Sequence, residues 1–232
     1  MKHSRMLGLC VLGIVCSTPG LEAQSPSQYR NFVLGSDVAA VSTVAGVPAS
    51  DAKTIHQRPA VLQDLDYRPS RWVAGSTVSS TDPVEQIGFS FYNDHLFRIV
   101  VDYSHDRTEG MTRADLIEGI SEVYGPPLPM SPRARGRVPS RLETESGVVA
   151  ARWGDSQHAV VLYQTSSYGA PFRLIVTEIR LDDLARKAEA QALRLDDQEA
   201  PHRENVRQQK ERDDTRAAAE KARLTNKRVF RP

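Results

Sequence analysis

The chain has 232 residues, with 30 Lys+Arg against 29 Asp+Glu and a formal net charge of +1. That balance argues against a dedicated nucleic-acid binder, whose electrostatic footprint is a basic excess. Hydrophobic residues make up 40% and charged ones 25%, which excludes a multi-span membrane protein.

The first 23 residues have the layout of a secretory signal peptide. Lys2, His3 and Arg5 form a basic start and residues 6–16 an apolar run. Thr18, Pro19 and Gly20 break that run, and Leu21-Glu22-Ala23 reads as a cleavage site. The run is well short of the roughly 18–20 residues that span a bilayer, so the expectation is an exported chain, periplasmic or extracellular, with no transmembrane span once processed. Cys10 and Cys16 both lie in this segment, and neither has the small residues that a lipoprotein signal places before its cysteine. Cleavage after Ala23 would leave a chain without cysteine, which removes thiol catalysis, structural disulfides and Cys-ligated zinc together.

Composition divides the remainder near Leu181. Residues 24–181 have ordinary apolar content and are expected to fold as one domain. Residues 182–232 carry 13 Lys/Arg and 11 Asp/Glu and read as a charged tail, helical or disordered.

Two segments of the domain predict amphipathic helices. In the first, Ser36 is a candidate cap, Val38, Val41 and Val44/Ala45 recur at helical spacing, and Gly46 and Pro48 end it. In the second, Thr112 and Asp115 have the spacing of a capping box, and Leu116, Ile117, Ile120, Val123 and Tyr124 form the apolar face. Gly125 is a left-handed stop. At an offset of 79 positions (38 to 117), Val38, Val41, Val44, Gly46 and Pro48 fall on Ile117, Ile120, Val123, Gly125 and Pro127. Two tandem helix-plus-sheet units, 30–105 and 106–181, would produce this match; so would two ordinary capped helices.

Strand patterns follow each helix, at 61–67, 71–76, 85–92 and 96–103, then at 147–153, 158–164 and 172–180. Asn93-Asp94 and residues 154–157 read as hairpin turns. Tight turns favour antiparallel pairing. The predicted class is α+β, an antiparallel sheet with helices packed on one face, followed by a polar helical extension.

Each unit thus reads as an apolar entry, a cap, an amphipathic helix, a Gly-x-Pro or Gly-Pro-Pro stop and antiparallel strands. The stretch Phe-Tyr-Asn-Asp-His-Leu-Phe-Arg-Ile-Val-Val-Asp-Tyr at 91–103, followed by Thr108-Glu109-Gly110-Met111-Thr112, completes the pattern. In these features residues 30–180 resemble the superfamily of small bacterial envelope lipoproteins and secreted β-lactamase-inhibitor proteins, and a recurrent pattern of uncharacterised secreted bacterial proteins. The resemblance implies an α+β fold that repeats a helical segment against an antiparallel sheet. It carries over no functional residue.

Residues 126–141 form a loop rich in proline and basic through Arg133, Arg135, Arg137 and Arg141. It reads as an insertion or as a docking loop for a protein or anionic envelope partner. In the tail, Leu184, Ala188, Ala192 and Leu195 keep helical spacing, Pro201 is expected to interrupt it, and beyond it large residues for coiled-coil a and d positions are missing. The last twelve residues hold five Lys/Arg and no acid, a second place for an anionic partner.

No nucleophile elbow, zinc-protease, P-loop or dinucleotide-binding motif occurs, and no cofactor is implied. The nearest thing to a cluster is Asp102, His105 and Asp106 at a strand end, which could hold a cation or supply a base; polar residues leaving a strand also simply face water. The expected function is a non-catalytic binding or envelope-associated protein. The alternative is a small envelope enzyme using Asp102/His105/Asp106.

Overall fold

The computed structural model describes residues 24–69, 82–129, 146–166 and 169–231. The segment 1–23 read as a signal peptide, the strand expected at 71–76 and the part of the Pro/Arg loop from 130 onward lie outside them.

A small hairpin comes first: β1 (Gln28–Tyr29) and β2 (Phe32–Val33) pair antiparallel. Helix α1 (Val38–Ala45) follows, then a single 3-10 turn at Ala49–Asp51 and the strands β3 (Lys53–His56), β4 (Leu62–Tyr67), β5 (Val84–Tyr92) and β6 (His95–Tyr103). The short helix α2 (His105–Thr108) leads into α3 (Arg113–Tyr124). Then come β7 (Val148–Gly154), β8 (His158–Gln164), β9 (Phe172–Glu178) and the long helix α4 (Ile179–Val229). The fold is α+β. Seven strands form one sheet in the order β3-β4-β5-β6-β9-β8-β7, every neighbouring pair antiparallel. Each half of the chain runs from a helix through a meander to an innermost strand, and β6 and β9 pair at the centre. Two helix-plus-meander units related by a local twofold would give this order.

Period-2 patterning fixes which face is inside. In β5, Ile87, Phe89 and Phe91 are buried; in β6, Ile99, Val101 and Tyr103; in β8 and β9, Val160, Leu162, Leu174 and Val176. With Trp153 they form the main core beneath α1 and α3. The matched helix positions agree in part: Val38 is buried where Ile117 is only half-buried. Val41 and Ile120 are both buried, whereas Val44 and Val123 are both exposed, outside the inner face that spacing alone assigns to them.

The helix ends are set by side chains. Asp37, not Ser36, caps α1: its Oδ1 accepts from the Ala40 N–H at 2.7 Å. Asp94, in the β5–β6 turn, accepts from the Val38 N–H at 3.0 Å and ties the hairpin to the same helix. That turn holds Asn93 and Asp94 at φ 47° and 67°, as a two-residue hairpin requires. Thr112 and Asp115 make the capping box of α3. Gly125 closes α3 at φ 82° and ψ −171°. This is not the left-handed helical well but a region that is essentially glycine's alone, where another residue costs roughly 1–3 kcal/mol. Gly125→Val is therefore expected to lower the melting temperature by several degrees. An unchanged calorimetric midpoint would show that the helix can end without this glycine.

The charged extension is helical from its start. Glu178 caps α4 by accepting from the Leu181 N–H at 3.2 Å, and the helix continues through Pro201. Helix-favouring residues on both sides of the proline offset the one N–H it cannot donate. The boundary read at Leu181 falls inside this packed helix. Asp182, Ala185, Ala188 and Ala192 are buried, and Ala185 and Leu181 pack with Leu62, Phe97 and Tyr92. Those strand residues lie on the sheet face opposite α1 and α3, so the beginning of α4 adds a helix to the second face. Alanine buries too little surface to stand out among so many charges. Beyond Ala192, Leu193, Val206, Leu224 and Val229 are all exposed.

Candidate functional site

The cluster singled out in the sequence is not brought together. Asp102 lies half-buried on β6 and is paired two-pronged with Arg173 of β9, Nε to Oδ1 at 2.6 Å and Nη2 to Oδ2 at 2.9 Å. His105 opens α2, its backbone N–H donating to the Gly169 carbonyl, and Asp106 is exposed. Among the described residues no group of three or more His, Cys, Asp or Glu is placed to hold a metal ion. Only residues 126–129 of the Pro/Arg loop are described, and they lie exposed beside the end of α3; the basic end of α4 is solvent-exposed.

A different place has the shape of a site. Between α3, the β1 strand and the ends of β6 and β9 lies a mainly apolar cavity of about 310 Å3, open on one side. Met111, Leu116, Ile120, Val123 and Leu174 supply its walls, and Tyr29, Tyr103 and Tyr124 its hydroxyls. Its position follows from the local chemistry already described. The capping box starts α3 so that Leu116 and Ile120 face the sheet, and Tyr103 ends β6 on the core face. Tyr124 donates its hydroxyl to the Gln28 carbonyl at 2.8 Å, joining the last turn of α3 to β1. The Gln24 N–H donates to the Val123 carbonyl at 2.7 Å, and Trp153 Nε1 donates to Ser121 Oγ at 3.2 Å. These contacts hold the C-terminal end of α3 against β1, the segment before it and β7.

Gly119 sits in mid-helix on the groove side, and a Cβ built there meets nothing within 4 Å. A helix-interior glycine costs roughly 0.5–1 kcal/mol relative to alanine. Here that cost coincides with the space a side chain would otherwise fill.

Burial sets the electrostatics. It holds the Tyr103 phenol well above its ordinary value, and it raises Tyr124 and Tyr29 as well. All three are neutral hydroxyls at physiological pH. They can donate or accept hydrogen bonds but cannot serve as bases. At the rim, Arg30 holds Asp82 through two hydrogen bonds of 2.8 Å, and its guanidinium lies 5.4 Å from the centre of the Tyr29 ring. The Arg30 backbone has φ 52°, an uncommon value for a residue other than glycine, in the β1–β2 turn.

A second, smaller cavity of about 110 Å3 lies under α4, with Asp64, Arg98, Arg186 and Glu189 among its lining. Its cations are engaged: Arg98 and Arg186 both pair with Asp182. Burial raises the Asp64 carboxyl above its usual range.

Sequence reasoning missed Tyr29, Arg30, Asp82 and Gly119. The one local signal was a glycine in the middle of an amphipathic helix. Tyr29 and Tyr103 are 74 positions apart (29 to 103) and meet only through the fold. Comparison of the chain with protein-family models, with curated proteins and with solved structures finds no match.

Proposed function

We propose that the protein is an exported, non-catalytic binding protein whose site is the groove beneath α3, taking a small apolar ligand. The observation that carries this reading is the combination of an apolar cavity of about 310 Å3 with a few buried neutral hydroxyls. That is the usual constitution of a small-molecule site. The phenols' raised pKa values support binding over acid–base chemistry, because none of the three yields a base near neutral pH. The layout of residues 1–23 supports export. The five basic residues among the last twelve support a further contact with an anionic envelope surface.

The neutral fluorophore N-phenyl-1-naphthylamine provides the test. It is expected to bind the full chain saturably, with a blue-shifted emission. Gly119→Leu places a side chain in the groove and is expected to weaken that binding at least tenfold. Gly119→Ala should raise the melting temperature by about 1–4 °C, the equivalent of 0.5–1 kcal/mol in a chain of this size. Fluorophore binding that Gly119→Leu leaves unchanged would place the ligand elsewhere.

A further inference from the structure

The last turns of α4 carry charge that the fold does not use. Further up the helix, Arg186, Arg203 and Arg207 each pair with an acid of the same helix. The last acid is Glu220, and Arg223 lies 3.7 Å from it. From Lys221 to Arg231 the chain has five cations and no acid. Among the described residues Lys221, Lys227, Arg228 and Arg231 have no ion pair, and every residue from 205 to 231 is exposed. The helix dipole favours Lys227 and Arg228 in the last turn. It does not reach Lys221, two turns earlier, and Arg223 and Lys227, four apart, are a like-charge pair that weakens a helix. This charge is available to a partner outside the chain.

The apolar residues at the same place narrow the choice of partner. Between Arg228 and Arg231 stand Val229 and Phe230, 70% and 75% exposed, the most exposed large apolar side chains among the described residues. The cations alone would suit any polyanion, but a soluble polyanion offers an exposed Val-Phe pair nothing to bury against. A bilayer with anionic headgroups offers both, negative charge at its surface and an acyl boundary just beneath it. The protein itself limits the depth. The last carbonyls of a helix have no helical donor, so the helix end stops among the headgroups, where water remains. The Phe230 ring and the methylene stems of the flanking Lys and Arg can reach further.

We infer that the end of α4 docks on an anionic phospholipid bilayer, with Lys227, Arg228 and Arg231 among the headgroups and Val229 and Phe230 at the acyl boundary. This names the surface behind the anionic contact proposed for this helix and rests on that reading; it does not depend on the groove. The contact is non-covalent, and no bond changes.

Amide hydrogen exchange, read peptide by peptide on the full chain, tests this. It reports the end of α4 separately from residues 1–23, whose apolar run can also touch lipid. Vesicles of phosphatidylcholine with one-third phosphatidylglycerol are expected to slow exchange at 224–230 by about tenfold or more, whereas phosphatidylcholine alone leaves it unchanged. K227E/R228E alters the end by four charge units, and at roughly fivefold per charge it should abolish the protection. V229S/F230S should raise the lipid concentration that gives half-protection by about tenfold or more. All four of these side chains are exposed, so both variants should melt within about 2 °C of the parent chain in calorimetry. Gly119→Leu should leave the protection intact, which tells failure of the groove apart from failure of this inference. Absence of protection on the anionic vesicles, or equal protection on phosphatidylcholine alone, overturns the inference. Protection that V229S/F230S leaves intact and that sodium polyphosphate reproduces overturns it in favour of a soluble polyanion.

Discussion

A chain ending at Leu181 is expected to lose at least 10 °C of melting temperature, or to fail to fold, whereas one ending at Ala200 should melt within about 2 °C of the full chain. The contrast comes from where α4 stops packing. Its buried residues are Asp182, Ala185, Ala188 and Ala192. Removing them uncovers Leu62 and Phe97 and leaves Arg98, whose side chain is only 16% exposed, without its carboxylate. Breaking a buried ion pair from one side costs roughly 3–5 kcal/mol. At about 2–4 °C per kcal/mol for a chain of this size, that loss gives a drop of roughly 6–20 °C, and the uncovered Leu62 and Phe97 add to it. The cut at Ala200 keeps all of this, together with the Arg58–Glu199 pair. It removes only exposed helix, whose charge pairs contribute little. Differential scanning calorimetry of the two truncations beside the full chain decides the matter. A drop beyond 5 °C for the Ala200 truncation would mean that the distal helix packs on the sheet.

Gly154→Ala should be the most damaging single-methyl change in the sheet. Gly154 ends β7 at φ 127°, which side chains rarely adopt, and a Cβ placed there would overlap the His158 carbonyl oxygen across the hairpin. The backbone strain costs roughly 1–3 kcal/mol. The overlap adds to it, because the clashing atom is main chain and cannot rotate away. The same hairpin is held by Asp155, whose carboxylate accepts the Gln157 and His158 N–H groups at 2.7 Å. Shifting it would cost those bonds as well. The expected result is a fall of 5 °C or more in the thermal midpoint, with the register of β7 on β8 perturbed in amide hydrogen exchange. A variant that melts like the parent would show that the hairpin can relax without cost.

What the sequence made legible was whatever depends on neighbours along the chain. The Thr112–Asp115 box, the Asn93-Asp94 turn, the alternation in 85–92 and the strand at 158–164 are all local patterns, and each is present; the strand expected at 172–180 forms but stops at Glu178, where α4 begins. Strand β3 was missed because its four residues are exposed or half-buried at the sheet edge, so no alternation marks them. Asp102 looked functional because sequence puts it near His105; its partner Arg173 is 71 positions away and arrives only when β9 pairs with β6. The groove was illegible for the same reason. Residues 103–124 supply the end of β6 and the α3 wall, but Tyr29 and Leu174, which complete it, lie far away in sequence and arrive only through the fold.

The free length of α4 has an electrostatic consequence. At about 1.5 Å per residue, residues 193–229 extend roughly 55 Å. The charge of surface groups is screened over about 8–10 Å at physiological salt. The cationic end from Lys221 to Arg231 and the tyrosine-lined groove are therefore separated by several screening lengths. A change in the ionic surroundings of the tip is therefore not felt as a change of field at the groove. The helix holds its cationic tip farther from the groove than the charge of either one reaches.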